Sequence, residues 1–205
     1  MPGVAPTVQA AVEGDLDAAV IARLLAEVGS SVGLVYGRNG KPHLLQKIKA
    51  WNNAARFVPW VVLVDLDRDC ECAPPCRQRW LPQSAPHMCF RIAVRTVEAW
   101  LLADCDRIAN FLRVARTRVP SAPESLHDPK QTLIELARRS KRRDIRDDLS
   151  PRAGSGRKVG PAYNSRLIEF VQGGADGWRP AVAAASAESL ARCMEALRQL
   201  TRSGA

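Results

Sequence analysis

The sequence contains no apolar stretch approaching the length of a bilayer crossing, and it opens without the charged segment and apolar core that mark a secretory signal. Both absences argue against a membrane or exported protein and lead to the expectation of a cytoplasmic one. Acidic charge is scarce beside basic charge: 21 Asp and Glu face 30 Lys and Arg, for a net charge of +9. Such a balance favours polyanionic partners, because a basic surface concentrates nucleic acid by long-range attraction. The six cysteines include no Cys-x-x-Cys pair, so the spacing of Cys70, Cys72, Cys76 and Cys89 argues against a zinc site, and cytoplasmic thiols are expected to stay mostly reduced. No segment has the spaced Gly and Lys-Ser/Thr pattern of a phosphate-binding loop, the run Gly154 to Lys158 included, so the chain shows no ATP-binding motif of its own. His43, His87 and His127 are scattered and attach to no recognisable base arrangement. No internal repeat is present.

What remains is well suited to a buried core. Hydrophobic residues make up 46% of 205, which excludes a mainly disordered chain and suffices for one α/β domain with a helical extension. Val8 to Val12, Val32 to Tyr36, Trp60 to Val64 and Phe90 to Val94 read as strands. Between them, Leu16, Val20, Leu24 and Val28 recur at steps of four, the stripe of an amphipathic helix over 15–28 that Gly29 would stop, and a second helix is expected from Leu44 to Ala55. Strands alternating with helices predict a mainly parallel, Rossmann-like sheet with helical crossovers. The α/β core is expected over 1–115 and a helical extension packed on it over 116–205.

Two acidic clusters follow these strands. Val12 runs into Glu13, Gly14, Asp15 and Asp17, and Val64 runs into Asp65, Leu66 and Asp67. The carboxyl ends of strands are where open α/β sheets place their ligands. If strand geometry persists through them, Asp65 and Asp67 point to the same side, an arrangement suited to Mg²⁺. Turn formation alone would also favour Asp and Gly at these positions.

A strand ending in Glu13-Gly14, followed about fifty residues later by one ending in Asp65-Leu66-Asp67, resembles the TOPRIM domain of topoisomerases, primases and the overcoming-lysogenization-defect nucleases. The run Val97 to Asp104, the triplet Asp128-Pro129-Lys130 and the segment Gly160 to Asn164 resemble a small bacterial family of unknown function within that group. The resemblance implies that Glu13 is the general acid/base or a metal ligand, that Asp65 and Asp67 are catalytic metal ligands, and that Asp17 fills the place of a second acidic residue, usually Glu. It implies phosphodiester hydrolysis of DNA or RNA dependent on Mg²⁺ or Mn²⁺, in an effector of a bacterial anti-phage defence module. It also implies a partner ATPase of the ABC or AAA type encoded nearby, within a complex whose oligomeric state the sequence does not fix.

Further candidates stand around this centre. Glu98 is a candidate carboxylate for a second metal, although a first-turn Glu is favoured by the helix dipole alone; Asp104 reads as exposed or capping. Lys130, Lys158 and the run Arg138, Arg139, Lys141, Arg142 and Arg143 are candidate contacts to nucleic acid, since clustered cations displace condensed counterions. The acidic residues close behind that run also fit a solvated helix face. Two rival readings are a haloacid-dehalogenase-like phosphatase, with Asp65 to Asp69 as nucleophile loop and Glu13-Gly14 unexplained, and a non-catalytic nucleic-acid-binding or regulatory subunit.

Overall fold

Four apolar segments pair into one all-parallel sheet in the order β2-β1-β3-β4 in this computed structural model, which describes residues 7–203. The strands are β1 (Thr7–Val12), β2 (Ser31–Gly37), β3 (Trp60–Asp65) and β4 (Met88–Ala93). β3 is paired on both sides and is buried at every position but its last, as a continuous Val-rich run in a covered parallel sheet should be. The α/β class and the Rossmann-like parallel arrangement expected from the alternation are therefore what the chain adopts.

Helices α1 (Asp15–Glu27) and α2 (Gly40–Ala54) make the crossovers among the first three strands. The four-residue stripe of α1 is buried as its spacing predicts, through Leu16, Val20 and Leu24. α2 begins four residues earlier than expected, so Lys41 lies in its first turn. The connection between β3 and β4 holds a helix the sequence reading omitted, α3 (Ala73–Trp80). Its short apolar content and its Ala-Pro-Pro opening disguised it, yet Pro is compatible with a first helical turn, where its missing N–H is not needed. Leu44 and Ile48 of α2 and Cys76 of α3 close over Val62, Val64, Phe90 and Ile92 to form the core of this region.

The described chain divides into two compact units, 7–94 with the residues from Ser189 onward, and 95–188. The expected division lay at residue 115. The earlier break follows from α4 (Val97–Ala103), which packs against α5 (Cys105–Leu112), α6 (Pro129–Arg138), α9 (Pro180–Ala183) and the short turn Pro123–Ser125. The last helix, α10 (Glu188–Ser203), belongs almost wholly to the sheet unit, where Ser189 Oγ accepts from the Val94 N–H at 3.1 Å. The extension expected over 116–205 is thus interrupted at its C-terminal end.

The second unit is helical, with α7 (Arg143–Leu149) and α8 (Tyr163–Gln172) completing its set. Its centre is aromatic: Trp100 and Trp178 are fully buried, and the Trp178 indole donates to the Trp100 carbonyl at 3.1 Å. Gly160 passes so close to Asp148 that an added Cβ would stand 2.2 Å from its carbonyl oxygen, which accounts for glycine at the head of the Gly160 to Asn164 segment. Among the described residues no helix is long and apolar enough to cross a membrane.

Candidate acidic site

The strand order reverses direction at β1. The chain steps from β1 to β2 on one side, then returns to place β3 on the other, so the carboxyl ends of β1 and β3 flank the crevice where such sheets take their ligands. Glu13 follows the last residue of β1, and Asp65 is the last residue of β3.

Glu13 is anchored from the turn that follows β2 and from the end of β3. Its carbonyl accepts from the Gly40 N–H at 3.0 Å, and the preceding Val12 carbonyl accepts from the Arg38 N–H at 2.9 Å. This close wrap requires Gly37, whose φ is +88° and whose Cβ, if present, would lie 2.3 Å from the Val12 carbonyl oxygen. From the β3 side, the Asp65 N–H donates to Glu13 Oε1 at 2.8 Å. Burial pushes the Glu13 carboxyl up to about 7. The Asp65 N–H and the charge of Lys41 pull the other way, while Asp67 and Asp69 add to the rise.

The expected alignment of Asp65 with Asp67 fails, because the strand ends at Asp65 and the chain turns at once. Asp67 has a φ of +49°, in the left-handed region, so the two-residue alternation of a strand does not extend to it. The turn pairs Asp67 with Asp69 instead: Lys41 Nζ donates to Asp67 Oδ2 at 2.5 Å and to Asp69 Oδ2 at 2.8 Å. Burial alone would lower the pKa of Lys41, but its hydrogen bonds to Asp67 and Asp69 and the charge of Glu13 outweigh burial and raise it. Sequence reasoning missed Lys41 as a member of this cluster and met Asp69 only as the end of the rival phosphatase loop. The signal for Lys41 was its place as the first cation after the Gly37 to Gly40 turn.

Among the described residues, no three or more Asp, Glu, His or Cys side chains are gathered into a preformed metal cage. The donor set nevertheless fits Mg²⁺ or Mn²⁺. Mg²⁺ commonly takes one or two protein carboxylates and completes its shell with water and substrate phosphate. Asp67 and Asp69 already converge on one cation, the Lys41 ammonium, within the field of Glu13. These two aspartates would hold the ion in exchange for Lys41.

The remaining candidates are placed as follows. Asp17, buried, accepts from the Gly14 N–H at 2.8 Å and so closes the first turn of α1. Glu98 lies in the first turn of α4 in the second unit, buried, where it accepts from the Tyr163 hydroxyl at 3.1 Å and has Lys130 Nζ 3.8 Å away. Lys130 also lies over the Tyr163 ring at 5.3 Å, so this expected nucleic-acid contact already has partners inside the protein. The Val97 to Asp104, Asp128 to Lys130 and Gly160 to Asn164 segments thus meet where the buried Glu98 carboxylate and Tyr163 hydroxyl adjoin the exposed Lys130 ammonium. Asp104 is fully buried rather than exposed: it caps α5 and accepts from the Arg179 side chain at 2.6 and 2.9 Å.

In the basic run, Arg138, Arg139 and Lys141 are exposed. Arg142 is paired with Asp144, and Arg143 with Asp147. Lys158 is exposed in the segment between α7 and α8. Cys70 and Cys76 form a disulfide, whereas Cys72, Cys89, Cys105 and Cys193 are free. The bridge departs from the expectation of mostly reduced thiols at this one pair, because α3 turns Cys76 back toward Cys70, with the Cα atoms 6.1 Å apart.

Comparison with protein-family models, with curated proteins and with solved structures finds no match to this chain.

Proposed function

We propose that this chain is a metal-dependent nuclease of the TOPRIM kind, hydrolysing phosphodiesters of DNA or RNA. The observation that carries the reading is the Glu13 carboxyl, lifted to about 7 and fixed at the reversal point of the sheet beside the Asp67 and Asp69 pair. A carboxyl titrating near neutrality can both accept and release a proton at working pH, the property required of a general acid/base. The Asp65 N–H fixes Oε1, which leaves Oε2 for proton transfer with the attacking water or the leaving oxygen. Asp67 and Asp69 would hold Mg²⁺ or Mn²⁺, and such an ion, when bound, neutralises charge developing on the attacked phosphate. Asp65 orients Glu13 through its backbone, and its carboxylate is retained as a candidate ligand.

The nucleic acid would be gathered by the exposed cations Arg138, Arg139, Lys141 and Lys158, acting through phosphate without reading base sequence. With no nucleotide-binding loop in the sequence, control by ATP would reside in a partner ATPase, and the setting proposed is a bacterial anti-phage defence module. A cytoplasmic location accords with that role.

The second reading, a non-catalytic nucleic-acid-binding or regulatory subunit, is favoured by one observation: Lys41 already neutralises part of the acidic pair. Incubation with DNA, total RNA and tRNA in Mg²⁺ or Mn²⁺, with and without a neighbouring ATPase, separates the two. The nuclease reading expects cleavage that stops in chelator. Binding that is unchanged by chelator, with no cleavage of any substrate, would support the second reading.

A further inference from the structure

Lys41 is a cation built into the acidic site, bonded to both Asp67 and Asp69. Its side chain is only 14% exposed, whereas those of Asp67 and Asp69 are 51% and 40% exposed. Its ammonium lies 5.6 Å from the Trp80 ring centroid, on a helix whose start is fixed by the Gly40 N–H bond to the Glu13 carbonyl. This placement differs from that of an ordinary surface lysine, which keeps its ammonium in water.

The two aspartates need such a partner. Asp67 and Asp69 share one short turn, and with Glu13 they bring three acidic groups into each other's field. One ammonium bonded to both aspartates offsets that repulsion. A divalent cation would use the same Oδ2 atoms and carry twice the charge. The ion and the ammonium are alike in sign and repel at hydrogen-bond range, so they compete for those oxygens.

We infer that Lys41 is the resident counter-cation of this site, a built-in competitor that holds Asp67 and Asp69 together until a divalent cation displaces it. The inference rests on the metal-site reading given above. Lysine suits the task because its charge is compact and its four-carbon stem flexible, so it can leave by rotating without moving α2. A displaced Lys41 is a free cation at the edge of the crevice, where an incoming phosphodiester offers it a new anionic partner. Metal and substrate therefore favour each other's binding, since each removes a cost that the other would otherwise meet.

The test is Mn²⁺ binding to the full chain by titration calorimetry, comparing wild type with Lys41→Met and Lys41→Arg. Lys41→Met keeps the stem and removes the charge, and is expected to bind Mn²⁺ about tenfold more tightly. Lys41→Arg keeps the charge and is expected to show no such gain. A second measurement needs only the wild type: acetylation of Lys41 by acetic anhydride, read by mass spectrometry, should rise several-fold in saturating Mn²⁺, while the exposed Lys47 and Lys49 of the same helix stay constant. Mn²⁺ binding with equal affinity in wild type and Lys41→Met, or acetylation of Lys41 indifferent to Mn²⁺, would overturn the role of Lys41 and leave the metal site standing. Absence of Mn²⁺ binding in all three proteins would overturn both.

Discussion

The backbone N–H of Asp65 donates to Glu13 Oε1 at 2.8 Å, joining the ends of two strands that lie 52 residues apart in sequence. This bond gives the second acidic cluster a role that its carboxylates alone would not suggest. The main chain of β3 holds the acid of β1 in place, while burial raises that acid to about 7, so that both its protonation states are populated near neutral pH.

Replacing Glu13 with Gln should stabilise the metal-free protein at and above neutral pH. The folded carboxyl titrates near 7 against 4.5 unfolded, so between those values the folded state binds more protons and stability falls as pH rises. With allowance for solvent screening at a half-buried group, the penalty is about 2 kcal/mol above pH 7. Urea denaturation in chelator should therefore show Glu13→Gln more stable than wild type at pH 8 and equal to it at pH 4. Equal stability at both values would contradict the raised titration of the buried carboxyl.

Asp104→Ala should destabilise the second unit by about 3 kcal/mol, because it removes a cap and leaves the Arg179 guanidinium without its buried partner. The loss follows from a fully buried carboxylate bound by the Arg179 backbone and side chain together. Denaturation monitored by the fluorescence of Trp100 and Trp178 would measure it, and a change below about 1 kcal/mol would contradict the assignment.

Glu98 gives a paired prediction. Tyr163→Phe removes the hydroxyl donor from a buried carboxylate and should cost about 1 to 2 kcal/mol, whereas Glu98→Gln can still accept from Tyr163 and should cost less. The reverse order, measured by thermal unfolding, would show that the charge of Glu98 matters more to stability than its bond to Tyr163.

For nucleic acid, changing Arg138, Arg139 and Lys141 together to Ala should lower the slope of log affinity against log salt by about 3 if all three contact phosphate. Arg142 and Arg143 are engaged by Asp144 and Asp147, so changing both should have a smaller effect. Fluorescence anisotropy of a labelled oligonucleotide at several salt concentrations gives both slopes. Equal effects would mean that the internal ion pairs open on binding.

Much of the sheet unit was legible because its signals are local. Val-rich runs fixed β1 and β3, the four-residue stripe fixed α1, and Glu13 and Asp65 could be placed at strand ends by inspection. The geometry beyond Asp65 was not legible, since a left-handed residue at Asp67 depends on the turn and on Lys41, which lies 26 positions away. α3 was hidden by its prolines, and the unit boundary at residue 94 by contacts that α4 makes with distant helices. The contacts of Glu98 and Lys130 were not legible either, because charge in a motif does not reveal an internal partner. Only the fold brings Tyr163 against both of them.

The central claim is that Glu13 performs acid/base chemistry on a phosphodiester. Single-turnover cleavage of the preferred nucleic acid in saturating Mn²⁺, with wild type and Glu13→Gln at equal metal occupancy, tests it most directly. The account predicts that Glu13→Gln binds metal and nucleic acid but cleaves at least about 100-fold more slowly. Cleavage at the wild-type rate by Glu13→Gln would contradict it.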